Sequence, residues 1–373
     1  MTAVSTGNIE ALVDLVAEYA PGAERERGLP APVFQAFNNA GIFRLAAPAM
    51  AGGLEADPAR VMRVVEALAR ADGGIAWCAM IAATSSVVAG HLHPDLARRI
   101  FADERGVLVG PLAPSGRATI TERGLELTGR WPFVSMCESS TWIMAGCTAD
   151  DGARRLALFP TQAATVHDTW DVLGLRATGS HDIEVEHLMV PDEHTVDLLL
   201  QSPVDPGPLY RFPVRGLLAA GIASVGLGVA RGAVDDLVEL ARAKTPAYSI
   251  RRLADRPSVQ AGVATADVRV RAARGLLHEA VDEAWEAAKA EAEVPLELRL
   301  RLRQAAAHAM TTARDAVDRM YEAGGGSSIY LRNEAQKRLR DVHTATQHVM
   351  MSPAVLEVAG RGLLGLQVEQ GQV

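Results

Sequence analysis

Three groups of side chains in this sequence have types and spacings that could carry chemistry. The first ends in a histidine: Arg338-Leu339-Arg340-Asp341-Val342-His343-Thr344-Ala345-Thr346-Gln347-His348. Read as a helix, it puts Asp341, Ala345 and His348 on one face, at i, i+4 and i+7. A neutral imidazole titrates close to working pH, so His348 could serve as a base or as a hydrogen-bonding stabiliser. The second group is Gly129-Arg130-Trp131-Pro132-Phe133-Val134-Ser135. The strand period of two would place Trp131, Phe133 and Ser135 on one side, two aromatic rings beside a hydroxyl. The third runs from Trp170 to Ile183 and on to Val190-Pro191. Gly174 and Gly179 there permit tight turns near a ligand, and Thr178 and Ser180 offer hydroxyl donors.

Other features point away from chemistry. His91-x-His93 has no third metal ligand nearby. Gly226-x-Gly228-x-x-x-Gly232 follows a helical rather than a strand pattern, so it is not a dinucleotide fingerprint. There is no G-x-S-x-G elbow for a serine hydrolase. Cys78, Cys137 and Cys147 are an odd, widely spaced set that gives no disulfide framework, and a reducing cytoplasm is the expected home. Met1 to Glu10 lacks the basic and apolar halves of a signal peptide.

The elements that must position these groups follow from composition and period. The chain has 373 residues, 49% hydrophobic and 22% charged, which suits a soluble multidomain protein. Aromatics are only 5%, so the core must rest on Ala, Leu and Val, as in closely packed helices. A net charge of −8 excludes a general nucleic-acid binder and disfavours an anionic membrane surface. The apolar stretches Gly73–Gly90 and Leu217–Ala230 read as buried helices rather than membrane spans. Helical periodicity occupies residues 1–106, with starts at Pro32, Asp57-Pro58 and His93-Pro94-Asp95. Residues 107–205 read as a β domain, with a hairpin turning at Arg123-Gly124 and strands at Trp142–Cys147, Leu156–Phe159 and Ile183–Val190. Residues 206–373 return to helices at about 213–244, 257–291, 296–323 and 331–351, a four-helix bundle.

The helix–β–helix order and the motifs together resemble the acyl-CoA dehydrogenase superfamily. Trp170 to Ile183, with Val190-Pro191, is similar to its middle-domain signature. Trp131-x-Phe133-x-Ser135, and the segment Arg338 to His348 set against an Arg-x-x-Arg-Asp to Gln-His pattern, resemble its flavin-dependent monooxygenase branch. That branch includes the oxygenase components of p-hydroxyphenylacetate and secosteroid hydroxylases and dibenzothiophene monooxygenase. The resemblance implies an α+β, acyl-CoA-dehydrogenase-like fold: an N-terminal helical domain, a middle β-barrel or sandwich, and a C-terminal four-helix bundle. It implies a two-component enzyme, in which a separate flavin reductase supplies reduced FMN or FAD. O2 would then form a C4a-hydroperoxyflavin that hydroxylates, or N- or S-oxidises, an aromatic, polyketide-like or amino-sugar molecule. Ser135 would hydrogen-bond the flavin edge at N5 or O4, and His348 would be the base or stabiliser. Trp131, Phe133, Thr178, Gly179 and Ser180 would contact the cofactor, and Trp77, Phe133 and His348 the substrate. Arg256 and Gln260 lie where a neighbouring subunit often reaches the flavin nucleotide, and Gly325 and Ser327 where backbone amides approach it. A homotetramer is the corresponding assembly.

Two departures keep alternatives open. The stretch after Trp77, Ala82-Ala83-Thr84-Ser85-Ser86, lacks the second pocket histidine of many aromatic hydroxylases. Pro111-Leu112-Ala113-Pro114-Ser115-Gly116 stands where dehydrogenases carry a T-E-P-x-x-G-S-D segment. The alternatives are an FAD-dependent acyl-CoA dehydrogenase, with Glu239 or Glu357 as base, and a non-catalytic flavin or ligand carrier of a biosynthetic complex.

Overall fold

The computed structural model describes residues 6–102, 105–197, 202–290 and 293–368; Met1–Ser5 of the expected leaderless N-terminus lie outside them. Five helices come first: α1 (Thr6–Glu26), α2 (Ala31–Asn39), α3 (Pro58–Ala71), α4 (Gly73–Ser85) and α5 (Pro94–Ala102). Asp57 caps α3 by accepting from the Arg60 amide at 2.7 Å, with Pro58 in the first turn. Asp72 caps α4 in the same way, accepting from the Ile75 amide at 2.8 Å. Uncharged α4 is buried almost throughout.

The middle of the chain is one mixed sheet with strand order β6-β7-β3-β2-β4-β5-β8, and β1 added beside β4. The strands are β1 (Leu108–Val109), β2 (Gly116–Thr121), β3 (Gly124–Val134), β4 (Trp142–Ala149), β5 (Arg154–Pro160), β6 (Thr165–His167), β7 (His181–Val190) and β8 (Thr195–Val196). The β2–β3 hairpin forms where expected, but it turns at Glu122-Arg123, one residue before the expected Arg123-Gly124, because Gly124 already pairs with Thr121.

The helices then resume as α6 (Pro208–Arg211), α7 (Val214–Ala243), α8 (Pro257–Lys289), α9 (Leu296–Gly324), α10 (Glu334–Thr346) and α11 (Ala354–Leu363). α7 and α9 run parallel, Gly216 against Leu302 at one end and Leu240 against Gly324 at the other. α7 also crosses α3 closely: a Cβ on Gly228 would lie 2.4 Å from the Glu66 carbonyl oxygen. Among the described residues two stretches are apolar enough to cross a membrane, Gly73–His91 and Val214–Ala243, and they are 94% and 89% buried inside the protein. They are core helices, in line with the sequence reading.

Two expectations need correction. The helix read across 331–351 stops at Thr346. Gln347 closes it, and His348 has extended backbone (ψ 134°) before a 3-10 turn at Val349–Met351. The i, i+4, i+7 face therefore ends at Ala345. Nor do Trp131, Phe133 and Ser135 share a strand face. β3 shifts register against β7 between Trp131 and Val134, and Phe133 has a left-handed φ of 63°. The bulge sends Phe133 outward, 72% exposed, while Trp131 and Ser135 stay buried.

Candidate functional site

A chain of buried hydroxyls joins α4 to the sheet. The Trp77 indole donates from Nε1 to Ser135 Oγ at 3.2 Å. Ser135 Oγ lies 2.7 Å from Ser180 Oγ, which lies 2.6 Å from Thr178 Oγ1. All four side chains are buried. An indole N–H can only donate, so Ser135 accepts there. The three hydroxyls hold three protons and make two bonds among themselves, which leaves one proton for an acceptor outside the chain. Such a donor set fits the electron-rich edge of a flavin ring. Phe133, exposed and edge-on to Trp170 at 6.3 Å, offers an uncovered aromatic surface beyond the bulge.

An ionic lock holds the loop that carries Thr178 and Ser180. Lys337 Nζ lies 2.6 Å from Asp72 and 2.7 Å from Asp341, all three buried. Asp341 also accepts from the Leu175 amide at 2.7 Å. One ammonium thus ties the N-terminus of α4, the body of α10 and the 174–180 loop together. Gly174 packs against α10 so closely that a Cβ would meet the Arg340 carbonyl oxygen at 2.2 Å. Burial alone would lower the pKa of Lys337, but the carboxylates of Asp341 and Asp72 overcome this and raise it. Burial raises that of Asp341, and Asp72 adds to the effect against the pull of Lys337.

His348 faces Trp77, with ring centroids 5.8 Å apart and planes tilted by 58°. Its Nδ1 accepts from the Met350 amide at 3.2 Å, which assigns the ring proton to Nε2. Burial, and then the charge of Arg303, pull its pKa down to about 4. The side chain is therefore held as a neutral imidazole, with Nδ1 engaged and the Nε2 proton left to donate.

Arg303 was not foreseen. It sits in a run of alternating arginines, Arg299, Arg301 and Arg303, which in the sequence look alike. The helix period points Arg301 to solvent and buries Arg303 to 6% exposure. The lock residues Asp72 and Lys337 were missed as well. The only signal for Asp72 was its place as the cap before Gly73-Gly74.

The structure does not bring every expected residue to this site. Trp131 lies in the sheet interior, where its indole donates to the Gly146 carbonyl at 2.8 Å and fills the space over Gly116 and Gly129. Arg256 precedes α8 and Gln260 lies in its exposed first turn, bonded to the Ala254 carbonyl at 2.9 Å. Gly325 and Ser327 form the turn after α9. These four lie at the end of the bundle opposite Arg303, which is ~30 Å away along α9 at 1.5 Å per residue. Gly179 has a left-handed φ of 50° in the loop, and its carbonyl accepts from Cys137 Sγ at 3.6 Å. Glu239 and Glu357, the alternative bases, are both exposed.

Residues 10–93 match the acyl-CoA dehydrogenase N-terminal domain and residues 220–353 the C-terminal domain. The chain is 30% identical over 365 residues to an indole-3-acetate monooxygenase of Pseudomonas putida, covering 96% of this chain and 93% of that one. The chain belongs to the acyl-CoA dehydrogenase family, in its flavin-dependent monooxygenase branch. A second relative is the flavin-dependent monooxygenase oxygenase subunit HsaA of Rhodococcus jostii, 27% identical over 98% of this chain and 99% of that one. Among solved structures, XiaF from a Streptomyces species, in complex with FADH2 and glycerol, superimposes with a TM-score of 0.90 at 26% identity. That superposition covers 97% of this chain and 95% of XiaF. This member of the branch is an oxygenase component that works with reduced flavin.

Proposed function

We propose that this protein transfers one atom of O2 to a small aromatic substrate in the site formed by Trp77, Ser135, Thr178, Ser180 and His348. The observation that carries this reading is the buried hydroxyl chain, which has one proton to give and ends beneath an indole facing a neutral imidazole. Ser135 and Ser180 would hold the flavin edge. The bound reduced flavin supplies the electrons that activate O2. His348 would donate from Nε2 and so stabilise negative charge at the reacting oxygen, without taking a proton itself. Trp77 and the turn at Val349–Met351 would exclude water. The relatives named for indole-3-acetate and for HsaA support an aromatic substrate.

A separate reductase would deliver reduced FMN or FAD, since the relative's name makes it an oxygenase subunit. A homotetramer is supported by apolar side chains left bare at the same end of the bundle. Tyr248 and Ile250 between α7 and α8, and Ile329, Tyr330 and Leu331 between α9 and α10, are all more than half exposed. In such an assembly Arg256, Gln260, Gly325 and Ser327 of one subunit would reach the flavin of another. A cytoplasmic location fits three free, buried cysteines, of which burial raises Cys137 to about 11.

The test mixes purified protein with reduced FMN or FAD, then with oxygenated buffer and a panel of aromatic substrates, and quantifies hydroxylated product against H2O2. The reading expects product coupled to flavin oxidation. His348→Ala and Ser135→Ala should divert oxygen to H2O2. Reduced flavin that reoxidises at its free-solution rate, without product, would overturn the reading.

A further inference from the structure

We propose that Arg303 is the anchor for a carboxylate on the substrate, so that the aromatic ring processed beside His348 belongs to an arylacetate-like anion. This rests on the aromatic-substrate reading above and names the substrate class more narrowly.

The argument begins with a charge that the protein itself leaves unmatched. Arg303 is 94% buried, and its guanidinium makes one weak bond, from Nη2 to the Met350 carbonyl oxygen at 3.3 Å. Its Nε is buried without a partner, and among the described residues no carboxylate forms an ion pair with it. A buried cation in this condition is costly, and proteins keep such groups either paired or facing a ligand. A structural arginine of the same bundle shows the difference. Arg338, equally buried, pairs with Asp236 and donates to the Arg70 carbonyl at 3.0 Å.

The neighbours of Arg303 deepen its need for an anion. Arg215 stands at the start of α7, next to Gly216, which touches Leu302. Burial and then the like charge of Arg215 draw Arg303 down to about 10, still a cation at neutral pH. Burial and then the charge of Arg154 lower Arg215 in turn. Arg154 is exposed at the start of β5. The order Arg154, Arg215, Arg303 therefore runs from solvent to the interior, in a protein whose net charge is −8.

The position of Arg303 ties the anion to the reaction site. Its bond to Met350 lies in the turn Val349–Met351 that follows His348, and its charge is close enough to lower the His348 pKa. Met350 thus receives a bond on its carbonyl from Arg303 and gives one from its amide to His348 Nδ1. A guanidinium fork is suited to hold a carboxylate in two parallel hydrogen bonds. With the acid held on Arg303, the aryl ring would extend toward Trp77 and His348.

Binding of two acid–amide pairs to the anaerobic protein with reduced flavin tests this: phenylacetate with phenylacetamide, and indole-3-acetate with indole-3-acetamide. The wild type should prefer the acid of at least one pair by about tenfold or more, the range of a hydrogen bond to a charged group. Arg303→Gln should abolish that preference and leave amide affinity unchanged; Arg303→Lys should keep part of it. A wild type that prefers neither acid overturns the proposal, as does an Arg303→Gln that weakens acid and amide alike. Where Arg303→Gln fails to fold, the wild-type preference and Arg303→Lys decide. The outcome is separable from the oxygenation reading. An acid preference that depends on Arg303, without oxygen transfer, keeps the anchor and removes the monooxygenase role. Oxygen transfer without acid preference does the reverse.

Discussion

Trp77 donates its indole proton to Ser135 while its ring faces His348, so one tryptophan joins the hydroxyl chain to the imidazole. Ser135→Ala would leave the buried Trp77 N–H without an acceptor, at a cost of about 1–3 kcal/mol. Trp77→Phe removes that donor and keeps an aromatic ring. The double variant should therefore be less destabilised than the two single changes added together, since no orphaned N–H remains. Urea unfolding of the four proteins measures this coupling, and strict additivity would show that the bond contributes nothing.

His348 gives a pH prediction with a definite sign. Its folded-state pKa is lowered from 6.5 to about 4, by burial first and Arg303 second. Above 6.5 it is neutral folded or unfolded. As pH falls from 6.5 towards 4, the unfolded chain takes up a proton that the folded one refuses, so stability is lost across that window. His348→Gln should lose less stability over the same interval, by up to about 3 kcal/mol. The turnover of the wild type should show no inflection from this group between about pH 5.5 and 8, where an ordinary histidine would titrate. Arg303→Gln should move the His348 pKa upward. A wild-type inflection near 6.5 that vanishes in His348→Gln would show that the ring is not held neutral.

Much of this architecture is legible without coordinates because the period of the apolar residues changes from 3.6 to 2 and back. The long helices α7, α8 and α9 fall within two residues of their expected bounds. Short pieces such as β6 and β8 carry too few residues for a period to register. Ser135, Thr178, Ser180, Trp77 and His348 are brought together, although their contacts arise differently from the expected shared faces. A bulge at Phe133 is a backbone event that alternation cannot anticipate, and the end of α10 at Thr346 moves His348 off the helix. Arg303 was invisible because burial, not residue type, distinguishes it from Arg301.

The Lys337 lock predicts an asymmetry. Lys337→Met leaves Asp72 and Asp341 buried together with no counter-charge and should cost about 3–5 kcal/mol. Asp341→Asn keeps the Lys337–Asp72 pair and an acceptor for the Leu175 amide, so it should cost clearly less. Both changes loosen the 174–180 loop and should weaken reduced-flavin binding. Chemical denaturation, with flavin titration under anaerobic conditions, checks the order. Equal losses in the two variants would mean that the lock is not an ionic device.

Two glycines should respond to alanine in opposite directions. At Gly174 the new Cβ would fall 2.2 Å from the Arg340 carbonyl oxygen and 2.7 Å from the Asp341 amide nitrogen. Both are backbone atoms of α10, which cannot turn aside as a flexible side chain would. Gly174→Ala must push the loop off the helix, displace Thr178 and Ser180, and lower both stability and reduced-flavin affinity. Gly275 is exposed in the middle of α8, with nothing within 4 Å of a Cβ. There alanine only restricts the unfolded chain and improves helix propensity, so Gly275→Ala should stabilise by about 0.5–1 kcal/mol and leave flavin binding unchanged. Thermal melts and flavin titrations of the two variants side by side test the packing of the loop. A Gly174→Ala protein that binds flavin as the wild type does would show that the contact between this loop and α10 does not position the hydroxyl chain.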